Sequence, residues 1–326
     1  MPTIFCSNEF KIEDTRTIKE LRLISYHGYK KKDLFKFLYS QIKNQNIDNA
    51  NRWCCEIIIS GLCVELFEKI LEVYCMEINI KNPLFIIYLW NNFERYTDVI
   101  NEHEDIINTR NNQEIRNITC SLTSILVFSQ QYSLPKLIKI NAIDIISIPK
   151  VRLTYNENND MIHLFFKQDD PIQIKEPINE IINHLRNPKS NSFEQVIYWL
   201  SWVVQWETEY IKKNDLGPCV ERPNDKIEKI YWKDSMWIIW HILKVEVEWK
   251  NHELLKEIID KSYRFYSYYY NKKNRYKKIY LVIFCLGCLL RQIEFSNIYG
   301  SLNNYSNAIL ACANINSLYK FMNAVS

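Results

Sequence analysis

Glycine is nearly missing from this chain, at 5 of 326 residues, and proline adds only 9. Sandwiches, barrels and doubly wound sheets use such residues at most of their connections, so the scarcity points away from β architecture and towards helices. It also removes the glycine-rich loops that cradle phosphates. No G-x-x-x-x-G-K-[ST], G-x-G-x-x-G or G-x-S-x-G occurs, which disfavours phosphate-loop and hydrolase-elbow chemistry. A dominant charge is lacking too: 41 Lys+Arg against 38 Asp+Glu leave a net charge of +3, too little for a general attraction to nucleic acid or membranes. The N-terminal MPTIFCSNEFKIEDTRTIKE has no basic stretch followed by an apolar core, so no secretory signal is expected. The longest apolar run, Ile279 to Leu290, falls well short of the ~20 residues that span a bilayer and reads as a buried helix.

Metal and nucleophile sets are equally sparse. Cys285-Leu286-Gly287-Cys288 has no second C-x-x-C and lies in an apolar run, so it reads as core rather than as a redox or zinc half-site. Cys54-Cys55 beside Trp53 reads the same way, and the ten cysteines together read as reduced residues of a cytosolic interior. The six histidines (His27, His103, His163, His184, His241, His252) are dispersed. His103 with Glu102, Glu104 and Asp105 could hold a divalent cation weakly or form a solvated charge run. No Ser/His/Asp or Cys/His set stands out. The expectation is therefore a non-enzyme with no catalytic, metal-binding or cofactor-binding residue and no small-molecule substrate.

Bulky side chains are plentiful. Hydrophobic residues make up 47% and aromatics 14%, with 9 Trp and 21 Tyr, ample for a packed core, and the length suits about two domains. Leu34, Phe37, Leu38 and Ile42 recur at three- and four-residue steps, the mark of one helix face. Asp48 is a plausible N-cap for a helix burying Trp53, Ile57 and Ile58, which Ser60-Gly61 ends. Further helices are expected from Val64 to about Ile78, from Leu84 to about Tyr96 after the break at Asn82-Pro83, and from Ile118 to Phe128. Residues 101–117 read as a polar surface loop or the start of a helix. In the middle, VRLTY and MIHLFF around the polar NENND suggest a short β-hairpin or extended connector. Helical patterning then returns through FEQVIYWLSWVVQWETEYIKK, DSMWIIWHILKVEVEW, HELLKEIIDKSYRFYS and KKIYLVIFCLGCLL to a terminal NNYSNAILACANINSLYKFM. The expected fold is mainly α, a two-lobed helical bundle: an N-terminal helical lobe over 1–130, a connector over 131–177 and a Trp/Tyr-rich helical lobe over 178–326.

One stretch has the composition of a binding surface. Arg264 and Tyr266 precede Lys272, Lys273, Arg275, Tyr276, Lys277 and Lys278, and positive charge interleaved with rings suits single-stranded nucleic acid. That reading requires the cations to share one face with Tyr266 or Tyr276 exposed. In the competing reading the tyrosines pack inward and the lysines solvate a turn. Lys30-Lys31-Lys32 is a smaller basic cluster. Seven tryptophans between Trp199 and Trp249 serve either a core or a partner surface.

Residues 38–96 carry a resemblance. Asn49-Ala50-Asn51-Arg52-Trp53, followed by Met76-Glu77-Ile78-Asn79-Ile80-Lys81-Asn82-Pro83, resembles the collar-like helical region after the ATPase core in clamp-loader-clade AAA+ proteins of the replication-fork-rescue type. The ATPase module itself is missing, and where that family has glycine this chain has Asn79 or Ile80. The resemblance implies a region for oligomer packing and no catalytic residue. NEIINHLRNPK and VIYWLSWVVQWE resemble uncharacterised all-helical proteins of nucleocytoplasmic large DNA viruses, and the abundance of Asn, Ile, Lys and Tyr suits an AT-rich genome. Together they imply a viral scaffold or protein-interaction protein tied to replication or assembly, with a protein partner or self-association. Its expected location is the host cytoplasm, a viral factory or the virion. The alternative is a nucleic-acid-binding replication accessory acting through 264–278. No membrane partner is expected.

Overall fold

The computed structural model describes residues 12, 14–102, 106–150, 153–154, 161–268, 270–271, 274–291 and 293–324. These residues form thirteen α-helices and several short 3-10 segments, with no β-strand among them. The nearest approach to one is a bridge between Ile24 and Lys30. The mainly α expectation holds. The expected hairpin is not seen: Ile162–Leu164 and Ile172–Ile174 are 3-10 turns, and residues 151–152 and 155–160 lie outside the described residues. Asp170 organises this region instead, accepting from the amides of Lys167 and Val220 at 2.7 and 2.8 Å and pairing with Arg222 at 2.6 Å. A side chain that bonds backbone amides offers the chain an alternative to a ladder.

The chain divides into two compact units, Met1–Gln131 with Ser296–Ser326, and Tyr132–Phe295. The first comprises α1 (Ile18–Leu23), α2 (Lys31–Lys43), α3 (Ile47–Ile59), α4 (Cys63–Glu77), α5 (Phe85–Glu102), α6 (Gln113–Phe128) and α13 (Leu302–Ala324). At its centre lies α6, packed against α2, α3, α4, α5 and α13 and buried almost continuously from Ile115 to Val127. It starts earlier than the apolar pattern suggests because the Asn112 side chain accepts from the amides of Glu114 and Ile115, satisfying donors a helix start otherwise leaves open. The cap of α3 is Asn46 rather than Asp48, its side chain accepting from Asn49 N. The other end of α3 follows the expectation. Gly61 has φ +70°, its N–H donates to Ile58 O at 2.8 Å, and Leu62 N–H reaches back to Ile57 O at 3.1 Å. This paired closure needs a left-handed residue at the Gly61 position.

The terminal helix α13 belongs with this first unit and not with 178–295 as expected. It buries Ala308, Ile315 and Tyr319 against α6 and α3, and the Arg116 guanidinium lies 4.7 Å from the Tyr319 ring centroid. The second unit comprises α7 (Ala142–Ile146), α8 (Lys175–Arg186), α9 (Ser192–Asn214), α10 (Met236–Lys250), α11 (Glu253–Ser267) and α12 (Ile279–Leu290). Residues 132–177 are part of it rather than a free connector. Its core is aromatic, with Trp199, Trp202, Trp240 and Tyr266 almost without exposed surface. Among the described residues no helix is long and apolar enough to cross a membrane.

Candidate functional site

The basic-aromatic stretch does not make the surface that its composition suggests. Tyr266 is fully buried, edge-on to Trp237 at 5.7 Å and tilted on Trp240 at 5.2 Å. Arg275 is also buried, its Nε donating to Asp234 Oδ2 at 2.7 Å. Tyr276 donates its hydroxyl to Glu207 Oε2 at 2.7 Å. The Lys278 ammonium donates to the carbonyls of Phe265 and Tyr268, and Arg264 pairs with Asp260 at 2.8 Å. Lys277 is exposed, while Lys272 and Lys273 lie outside the described residues. The tyrosines therefore pack inward, and the requirement for an exposed stacking ring beside shared cations is not met. In the smaller cluster, Lys31 is paired with Glu65 at 2.8 Å.

What draws Arg275 inward is a pair of buried carboxyls, Glu207 on α9 and Asp234 just before α10, both without exposed surface. Glu207 accepts from the amide and hydroxyl of Ser235 at 2.5 and 2.7 Å as well as from Tyr276. Asp234 accepts from Tyr270 at 2.7 Å and from Arg275. Burial, then the charge of Asp234, pushes Glu207 up to about 7. Burial likewise raises Asp234 to about 6, with Arg275 pulling the other way. A guanidinium, which stays charged in a protein interior, is the partner such a pair needs. The network ties α9, the start of α10 and the loop before α12 together, and leaves Asp234 Oδ1 buried without a hydrogen-bond partner.

Other groupings of catalytic residue types are structural. His184 sits 3.2 Å from Ser192 Oγ and 3.5 Å from Glu180, but all three are buried and Ser192 Oγ already accepts from Lys189 N at 2.7 Å. His27 and Ser25 both bond Glu56, a buried tie within the first unit. Burial pushes the thiol of Cys285 up to about 12 and that of Cys288 well above the ordinary value, as expected of core cysteines. His103, Glu104 and Asp105 lie outside the described residues. No group of three or more His, Cys, Asp or Glu among those described could hold a metal ion.

The open feature lies on the other face of α9. Trp202, Trp206 and Tyr210 follow one another at four-residue steps, which places them in line on one helix face. Their rings stack at 6.4 Å and 8° and then at 5.6 Å and 28°. A strap formed by residues 138–146 runs beside them. Ile138 N–H donates to Ser201 Oγ at 3.1 Å and Ile140 N–H to Gln205 Oε1 at 2.9 Å, while Gln205 Nε2 donates to Ile138 O and Trp202 Nε1 to Asp144 O, both at 2.7 Å. The strap includes α7, capped by Asn141, which buries none of its own residues. Ile143 and Ile146 stand 69% and 88% exposed. Strap and helix bound a cleft of about 870 Å³ with Ile145, Ile146, Trp206 and Tyr210 in its walls. Lys139, Lys150 and Lys213 also line it, none ion-paired among the described residues, against Glu176 and a Glu209 that is taken by Lys212 at 2.6 Å. The sequence signal for this site was the four-residue spacing of the three rings. The isoleucines of α7 gave no warning, because IKINAIDIIS looks like any short buried run.

Compared with family models, with curated proteins and with solved structures, the chain matches none.

Proposed function

We propose that this protein is a non-catalytic interaction module, and that its second unit seats a segment of a partner protein in the cleft between α7 and α9. The observation that carries the reading is the exposure of Ile146 beside the Trp206–Tyr210 stack in a preformed cleft. Exposed aliphatic residues grouped around aromatic rings mark a surface that gains from being covered. Removing apolar area from water is worth about 25 cal/mol per Å², so one leucine or phenylalanine anchor contributes roughly 1.5–3 kcal/mol. The unpaired Lys139, Lys150 and Lys213 around the cleft select the occupant. It is an amphipathic segment with a bulky apolar anchor flanked by carboxylates, since cations at a rim favour a partner of opposite charge. Isoleucine side chains offer no hydrogen bonds to bases, which favours a peptide over single-stranded nucleic acid.

The test is selection from a displayed library of short peptides on the full-length protein. Acidic peptides with one or two large apolar residues should emerge, and Ile146→Asp should weaken them at least about tenfold, the equivalent of 1.4 kcal/mol. Lys277→Glu, distant in sequence, should leave them unchanged. Selected peptides indifferent to Ile146→Asp and Trp206→Ala, or no enrichment at all, would overturn the proposal. So would oligonucleotide binding that Trp206→Ala abolishes.

A further inference from the structure

The packing of α13 on α6 in the first unit brings two cysteines together. Arg116 Nη1 donates to Asn316 Oδ1 at 3.4 Å and its guanidinium lies over the Tyr319 ring. In an antiparallel helix pair, advancing one turn along one helix means retreating one turn along the other. One turn on from Arg116 is Cys120, and one turn back from Asn316 is Cys312. The register thus sets the two thiols face to face, within hydrogen-bonding reach. Cys120 is 1% exposed. Cys312 is partly exposed, whereas the other eight described cysteines are buried, and all nine are free thiols. The hydrogen bond between the pair holds Cys312 below the ordinary thiol value, while the same bond, with burial, raises Cys120. A partly exposed thiol backed by a second sulfur is the arrangement found in thiol-based oxidation sites.

We propose that Cys312 and Cys120 form a reversible oxidation site for hydroperoxides, with Cys312 as the attacking sulfur and Cys120 as the resolving one. The Cys312 thiolate attacks the terminal oxygen of the peroxide. An S–O bond forms, the O–O bond breaks, and the other oxygen leaves as alcohol or water after taking a proton from solvent. The Cys120 sulfur then attacks the Cys312 sulfenic sulfur. The S–S bond forms, the S–O bond breaks, and the hydroxide leaves as water with the Cys120 proton. Two thiols together give up two electrons to one peroxide, and an external dithiol returns them. The product is a covalent staple from α6 to α13, two segments far apart in sequence.

The experiment uses the full chain in a Cys6→Ser background, which removes the thiol outside the described residues, with hydrogen peroxide as the oxidant. Native-state alkylation should label Cys312 first. Brief peroxide treatment should then protect Cys312 and Cys120 together from alkylation in denaturant, and peptide mapping should yield one disulfide-linked pair containing both. Cys120→Ser should stop at a sulfenic acid on Cys312 that dimedone traps, and Cys312→Ser should leave Cys120 reduced. A dithiol reductant should restore the starting labelling pattern. The proposal is overturned if Cys312 is alkylated no faster than the buried cysteines, if its sulfenic acid persists in the presence of Cys120, or if the disulfide joins other residues. The alkylation and mapping results on the parent protein stand even if a serine variant fails to fold.

Discussion

The buried carboxyl at Glu207 sets a specific pH dependence. Its value rises from 4.5 to about 7 in the fold, chiefly through burial, so between these limits the folded state holds a proton that the unfolded chain has released. Stability conferred by that proton is present at low pH and declines as pH rises through about 7, because the slope of unfolding free energy follows the difference in bound protons. Each pH unit is worth about 1.4 kcal/mol, which puts the whole effect near 3 kcal/mol, with about 2–3 kcal/mol of it falling between pH 5 and 8. Glu207→Gln removes the titration and keeps the shape. Its amide oxygen can still accept from Ser235 N, and its NH₂ can donate to the hydroxyls of Ser235 and Tyr276, which turn to accept. Urea unfolding at several pH values, followed by tryptophan fluorescence, reads this directly, since seven of the 9 tryptophans lie between Trp199 and Trp249. The variant should match the parent near pH 5 and exceed it by about 2 kcal/mol near pH 8. Parallel curves, or a variant that loses ground as pH rises, would refute the reasoning about burial.

Other substitutions test the packing around the same helix. Gly217→Ala should destabilise the second unit by about 1–3 kcal/mol in urea titration, because a Cβ there would meet the Lys233 carbonyl at 2.5 Å and Asp234 Oδ1 at 2.6 Å. Trp199→Ala, at a site with no exposed surface, should cost about 3–5 kcal/mol. Trp206→Ala, on the half-exposed stack, should cost clearly less in the same assay; equal losses would contradict the separation of core and cleft faces on α9.

The helical class was legible because glycine poverty and three-and-four spacing act locally, within one or two turns. The α3–α4 boundary was legible for the same reason: Gly61 and the neighbouring apolar stripes carry the signal themselves. The shift of the α3 cap from Asp48 to Asn46 came from two side chains of similar capping ability within three residues, where only backbone geometry decides. Burial of Arg275 was not legible. Its partners Asp234 and Tyr276's acceptor Glu207 stand 41 and 69 residues from the two basic-stretch residues they bind, and a run of lysines around an arginine reads as solvated. The place of α13 was hidden for a different reason. Lys320 is its sole charged residue, so apolar and small side chains fall all round the helix and no face announces which neighbour it needs.

The return of α13 to α3 and α6 has a consequence for synthesis. A ribosome completes residues 132–295 before it makes 302–324, so the unit begun first is finished last. Until α13 emerges, the face of α6 that bears Arg116 and Cys120 lacks the helix that covers it. A factor that meets the chain before α13 emerges therefore meets that one uncovered face of α6.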